Sequence, residues 1–334
     1  MVEDYLNDRF TKDETPDENS GVFIDKKAND WIEEAKKRPV PLELFGSLWF
    51  QSELCILFAD SNAGKSILAV QIAQAIASGK KYILGINQSA PNQPVIYFDF
   101  ELSDKQLEKR YSIDFTSHFE FHSNLIRVEI NRHSELPEGK TFEECVSAAI
   151  EGLILKYQSK VVIIDNITYL KTDNEKAKDA LALMKELNRV KKAHDVSMLI
   201  LAHTPKRDLS RPITQNDLQG SKMLFNFCDS AFAIGKSSRD SSLRYIKQLK
   251  VRSAEEMYGG DNVITCTLVK PGNFLMFELI GFDFEKSHLK EITQDDREVK
   301  IALVKKLAEE GKSQREIASE VEISVGAVNK YLKL

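Results

Sequence analysis

The sequence predicts an α/β fold, a mostly parallel sheet flanked by helices, followed by a small all-α module. Three observations point there. Between about residues 50 and 285, short β-branched and apolar runs alternate with helical stretches, as expected for strands buried on both faces by crossover helices. A glycine-containing loop, ADSNAGKS at 59–66, stands between an apolar run and a helical one. Beyond residue 296 the chain turns to short amphipathic stretches with no strand pattern.

At 334 residues the chain has room for two domains, or one large domain with an appendage. Its 42% hydrophobic and 29% charged residues exclude disordered and fibrous classes. A formal net charge of −5 gives no long-range attraction for phosphate, so any nucleic-acid surface must be local. Cys55, Cys145, Cys228 and Cys266 lack CxxC or Cys/His ligand spacing, which reads as free thiols in a reducing compartment. No run of 18 apolar residues occurs, and the acidic N-terminus carries no export signal. A cytoplasmic protein without membrane contact is expected.

Taken in order, residues 1–26 are polar and acidic and read as a flexible arm. Residues 27–44 form a linker whose stretch 28–37 is a short amphipathic helix, with Trp31, Ile32 and Ala35 on one face and RPVP as its stop. That helix packs on its own domain or docks on a neighbouring subunit. The main domain spans 45–285. Its strand candidates are ELCILFA, PVIYFDFE, LIRVEI, KVVIIDN, VSMLILAH and SAFAIG, then LRYIKQLK, NVITCTLV and FLMFELI as an antiparallel extension. Helices are predicted at 65–78, 103–111, 142–157 and 174–194. Residues 286–296 are polar, and the helical module occupies 297–334.

ADSNAGKS carries the clearest chemistry. Phosphate binding needs backbone N–H groups aimed inward at a helix N-terminus, a lysine for the β- and γ-phosphates and a hydroxyl for Mg²⁺. Gly64, Lys65 and Ser66 supply these parts, so Ala59, Asp60, Ser61, Asn62, Ala63, Gly64, Lys65, Ser66 and Ile67 are the candidate ATP-binding residues. Ala59 departs from the usual glycine, and its methyl is tolerable if φ is negative. KVVIIDN ends a strand in Asp165, a carboxylate that can hold Mg²⁺ together with Ser66.

PVIYFDFELS, LILAHTPKR and RYIKQLKVRSAEE complete a set. With these motifs the chain resembles the RecA-like P-loop ATPases of AAA type, especially hexameric helicases of replicative and plasmid-replication kind, over about 45–285. The resemblance implies a RecA-like core in which Glu101, ending the strand after the phosphate-loop helix, polarises the attacking water. Asp99, two residues earlier, competes for that role. His203 falls where the family senses the γ-phosphate. The loops at 171–178 and after His203 fall where ring subunits face a central channel, making Lys206, Arg207 and Arg211 candidates for single-stranded DNA. Lys250 and Arg252, on one face of a strand, match the pair that hexamers present to the neighbour's γ-phosphate. A ring-shaped homo-oligomer follows from that match.

The C-terminal stretch looks like a helix-turn-helix of the regulator and recombinase type, with a core of Ile301, Val304, Leu307, Ile317, Ala318, Val321, Ile323, Val328 and Leu332. Ser324 caps the last helix, which in such modules enters the major groove. Ser324, Asn329 and Lys330 are therefore candidate contacts to duplex DNA. From 301 to 334, six basic residues against five acidic ones make this a weak phosphate binder, so a protein-docking module stays open. The function expected overall is an ATP-driven motor on DNA, a ring-forming helicase or helicase-like replication factor. Two other readings remain: an ATP-gated DNA-binding regulator and a protein-remodelling ATPase.

Overall fold

Every residue of the strand Leu54–Ala59 is buried, and the molecule is laid out around it. The computed structural model describes residues 23–131, 139, 141–167, 178–205, 207–218, 221–291, 294–321, 323 and 325–334. The strands are β1 (Glu43–Phe45), β2 (Trp49–Phe50), β3 (Leu54–Ala59), β4 (Tyr82–Ile83), β5 (Ile86–Asn87), β6 (Val95–Asp99), β7 (Ser112–Ile113), β8 (Ser117–His118), β9 (Leu125–Val128), β10 (Val161–Asp165), β11 (Ser197–His203), β12 (Ser230–Lys236), β13 (Leu243–Lys250), β14 (Val263–Val269) and β15 (Met276–Asp283). Nine of them form one sheet in the order β15-β14-β13-β12-β3-β11-β10-β6-β9. From β12 to β9 the pairing is parallel. β12 to β15 form an antiparallel wing. This is a mixed, mostly parallel sheet at the centre of an α/β core.

Alternation along the strands sends side chains into two cores. Cys55, Leu57 and Ala59 join the layer that holds the helix Lys65–Ser78, while Leu54, Ile56 and Phe58 join the layer with the helices Phe142–Tyr157 and Lys178–His194. Local signals set several helix ends. Gly64 (φ 102°) precedes Lys65–Ser78 and Gly79 (φ 70°) stops it, both in left-handed conformations that favour glycine. Capping boxes open Asp104–Arg110 through Ser103 and Gln106, and Phe142–Tyr157 through Thr141 and Glu144.

The structure revises two strand ends. β6 ends at Asp99, so Glu101 lies beyond the strand in a bend. There the Phe100 N–H donates to the Asp165 carbonyl at 2.8 Å, and Asp99 accepts from the Glu101 and Leu102 N–H groups. β13 ends at Lys250, opposite Ala231 near the start of β12. Arg252 therefore sits in a bend and does not share a strand face with Lys250.

The described chain divides into a unit up to Pro41 and a compact unit Leu42–Leu334. In the first, the helix Ala28–Lys36 exposes Trp31 and Ile32. In the second, β1 already buries Leu44 and Phe45, and the turn Glu285–His288 buries both its end residues. The helices Gln294–Glu309, Gln314–Glu320 and Val325–Leu332 share their own small core of Val304, Leu307, Ile317, Ala318, Val321 and Val328. The four cysteines are free, three of them buried. No described helix is long and apolar enough to cross a membrane.

Candidate active site

At the C-terminal end of β3 the chain leaves the sheet and turns into the helix Lys65–Ser78. Ala59 is the last residue of β3, buried, and has no positive φ, so its methyl fits ordinary strand backbone. The turn itself uses left-handed conformations at Asn62 (φ 60°) and Gly64. The Ala63 N–H donates to the Asp60 carbonyl at 3.2 Å. Lys65 is buried, with its Nζ 3.0 Å from the Ala59 carbonyl and 3.1 Å from His203 Nδ1. Burial pulls its pKa down against the opposing pull of Asp165, Glu101 and Asp60. Asp60 accepts from the Thr204 hydroxyl, and Lys236, at the end of β12, donates to the Ser61 carbonyl at 2.8 Å.

Parallel pairing of β6, β10, β11 and β3 sets their C-terminal ends side by side, with Asp99 opposite Asp165 and His203 opposite Ala59. Glu101 Oε1 lies 3.1 Å from His203 Nε2 and accepts from the Asn166 side-chain amide. A lysine ammonium has no acceptor, so His203 Nδ1 must accept from Lys65; the network thus assigns the ring proton to Nε2, which donates to Glu101. That hydrogen bond holds the Glu101 carboxyl below the usual carboxylate range despite its partial burial. Asp99 is placed differently. Its carboxylate is buried and pairs with Arg127 at 2.9 Å while shaping the turn that carries Glu101.

Asp165 is almost fully buried. Burial raises its pKa to about 6, against the downward pull of the Ser66 and Tyr97 hydroxyls. Its Oδ2 accepts from Tyr97 at 2.7 Å, whereas Oδ1, also buried, has no hydrogen-bond partner among the described residues. A buried carboxylate oxygen without a partner, beside a serine hydroxyl, suits a hard divalent cation. Asn62, Lys65, Ser66, Glu101, Arg110 and His203 are among the residues lining one cleft of about 420 Å³, within the usual range for small-molecule sites. Arg110 Nη1 is buried there and likewise has no partner among the described residues.

The other candidates lie elsewhere. Lys250 and Arg252 sit at the opposite end of the sheet, where β12 starts beside Cys55 rather than beside Ala59. Lys250 donates to the Phe225 carbonyl at 2.6 Å, and Arg252 pairs with Asp229 at 3.1 Å. Arg207 donates to the Arg211 carbonyl, and Arg211 lies 3.5 Å from Asp208. Asn329 and Lys330 are exposed on the last helix. Lys206, Ser324 and residues 171–177 lie outside the described residues. Sequence reasoning passed over Asn166, Tyr97, Arg110 and Lys236. The first three stand inside or beside motifs already singled out, and Lys236 carries no local signal.

The family model described as AAA domain matches residues 25–208, a span that holds Lys65, Glu101, Asp165 and His203 and stops short of Lys250 and Arg252. No curated protein matches the sequence. Among solved structures, the chain is similar to the KaiC-like protein PH0186 from the hyperthermophilic archaeon Pyrococcus horikoshii OT3. The identity is 12% and the TM-score 0.48, over 71% of this chain and 99% of that one.

Proposed function

The chain belongs to the AAA domain family, and from that premise we propose that it is a Mg²⁺-dependent, ATP-hydrolysing motor acting on DNA as a ring. One observation carries the catalytic part: Lys65 donates to His203, and His203 and Asn166 both donate to Glu101, at adjoining strand ends around the phosphate loop. Loop N–H groups and Lys65 hold the triphosphate. Glu101, kept ionised by His203, orients water and accepts its proton. Ser66 and Asp165 would hold a magnesium ion, which when bound supplies positive charge to the β- and γ-phosphates. His203 touches both Lys65 and Glu101, so a γ-phosphate that draws Lys65 away frees Nδ1 and reports nucleotide to the loop after β11. Arg207 and Arg211 lie on that loop and are the contacts to single-stranded DNA in this reading, with Lys206.

Lys250 and Arg252 lie at the far end of the sheet from their own phosphate loop, so in this reading any role at a γ-phosphate is toward a neighbour's nucleotide, in a ring. A second reading, an ATP-gated duplex-binding regulator, draws on the separate core of the three C-terminal helices. Measuring ATP turnover alone, with single-stranded DNA and with duplex separates the two. Stimulation by single strands supports the motor. Duplex binding without stimulation, lost on deleting 297–334 while basal turnover persists, supports the regulator. Indifference to both DNAs leaves a protein-remodelling ATPase.

A further inference from the structure

We propose that Gln71 and Phe277 are positioning residues for the triphosphate, through which the antiparallel wing holds the phosphate loop in its binding shape. The proposal rests on the ATPase reading above and adds parts that the phosphate-binding motif does not contain. β15 ends the sheet, and among the described residues no strand pairs with its outer side. At Phe277 the outward backbone groups are instead taken up by one side chain. Gln71 Nε2 donates to the Phe277 carbonyl at 3.0 Å, and Gln71 Oε1 accepts from the Phe277 N–H at 2.9 Å. The amide of a helix thus does what a neighbouring strand would do.

The Phe277 ring, fully buried, lies against the loop itself. A Cβ on Gly64 would come within 2.6 Å of Phe277 Cζ and 2.9 Å of Cε2. Gly64 is therefore required twice, by its φ of 102° and by this close approach. Gln71 sits on the same helix that Lys65 begins. Its buried amide would be costly if unpaired, and a leucine would fill the space without that cost. What the amide adds is a fixed separation between the helix and the strand that abuts Gly64. Lys236 adds a second hold from the wing at the Ser61 carbonyl. Loop shape, and with it affinity for the phosphate chain, then depends on β12 and β15. Asp165 and His203 end other strands and Glu101 lies just beyond one, so turnover of bound ATP does not.

The test is nucleotide affinity measured by titration, with kcat and thermal melting measured on the same proteins. Gln71→Met keeps the volume and removes both hydrogen bonds. Its Kd for ATP and for ADP should rise about tenfold, the scale of a lost pair of buried hydrogen bonds, with kcat within about twofold of wild type. Phe277→Leu should shift Kd in the same sense. The double variant should lose little more than the worse single one, because both act through one contact. Unchanged Kd in both variants, even with lowered melting temperature, makes the contact structural only and overturns the proposal; so does a fall in kcat at constant Kd. If wild type binds no ATP, or Lys65→Ala binds it equally well, the ATPase reading fails instead.

Discussion

The two ends of the central strands both carry charged groups and use them in opposite ways. At the N-terminal end, Asp229 accepts from the Leu54 N–H at 2.9 Å and pairs with Lys191 at 2.7 Å and Arg252 at 3.1 Å. Glu53, beside it, takes the Ser230 hydroxyl at 2.8 Å, the Phe50 N–H and the Ser253 hydroxyl. At the C-terminal end, Asp165 Oδ1 and Arg110 Nη1 are buried without partners among the described residues, and Lys65 rests on a carbonyl and an imidazole. Buried polar groups are normally satisfied, so the unsatisfied end is the one arranged for something that comes and goes. The saturated end reads as structure. Charge alone does not separate these two ends; the unpartnered Asp165 Oδ1 and Arg110 Nη1 do.

Arg252 is where this contrast is easiest to break. It belongs to the saturated end, yet its side chain is 56% exposed, and it is the proposed contact to a neighbour's γ-phosphate. Arg252→Ala should cut hydrolysis by roughly 10³-fold with ATP affinity kept, as for an arginine supplied in trans. Mixing it with Glu101→Gln should restore part of the activity, and specific activity should rise with protein concentration. If both proteins co-assemble and the mixture stays inactive, Arg252 is structural and the contrast holds without exception. A somewhat smaller loss is expected at the other end. Glu101→Gln should bind ATP normally and turn over at least about 10²-fold more slowly, roughly 3 kcal/mol of barrier. Near-normal turnover would move the role to Asp99, despite its pairing with Arg127.

Acidity sharpens the comparison with the smallest effects. Asp165 has a raised pKa of about 6, so proton and metal compete for it, and Mg²⁺-dependent ATP binding should weaken about tenfold per unit below pH 6. Without metal the sign reverses. The folded state binds the proton more tightly than the unfolded chain, so Asp165 favours folding increasingly as the pH falls from about 6 to about 4. Asp229 is the opposite case: burial raises its pKa, but the Leu54 N–H, Lys191 and Arg252 outweigh this and the net shift is downward. Its contribution is present above about pH 4 and is lost as the pH falls through the lower folded value. Asp229→Asn should cost about 1 kcal/mol, discounted for partial exposure, with nucleotide affinity unchanged. Denaturant melts across this pH range, with and without Mg²⁺, read both slopes.

Much of the frame was legible because it is written locally. The helices 65–78 and 142–157 match to the residue, since Gly64, Gly79 and the Thr141–Glu144 box mark their ends within a turn. LRYIKQLK likewise coincides with β13. Lys65 and Ser66 follow from one contiguous loop, and Asp165 from the end of one apolar run. Less legible was the position of Glu101, because PVIYFDFE stays apolar past Asp99. The turn by which the chain leaves the sheet there is held by Asp99, paired with Arg127 on β9.

By itself the sequence determined the strand–loop–helix that would hold a phosphate chain, the alternation that builds a mostly parallel sheet, and the residues that can carry the chemistry. Those are matters of spacing, capping and side-chain type, all settled within a few residues. Only the tertiary structure decided which carboxylate faces the cleft, that His203 bridges Lys65 and Glu101, and that Lys250 and Arg252 lie at the far end of the sheet. It alone brought Gln71 onto Phe277, 206 residues away. These depend on strand order and register, and a hydrogen bond about 3 Å long is specified by the packed sheet, not by distance along the chain.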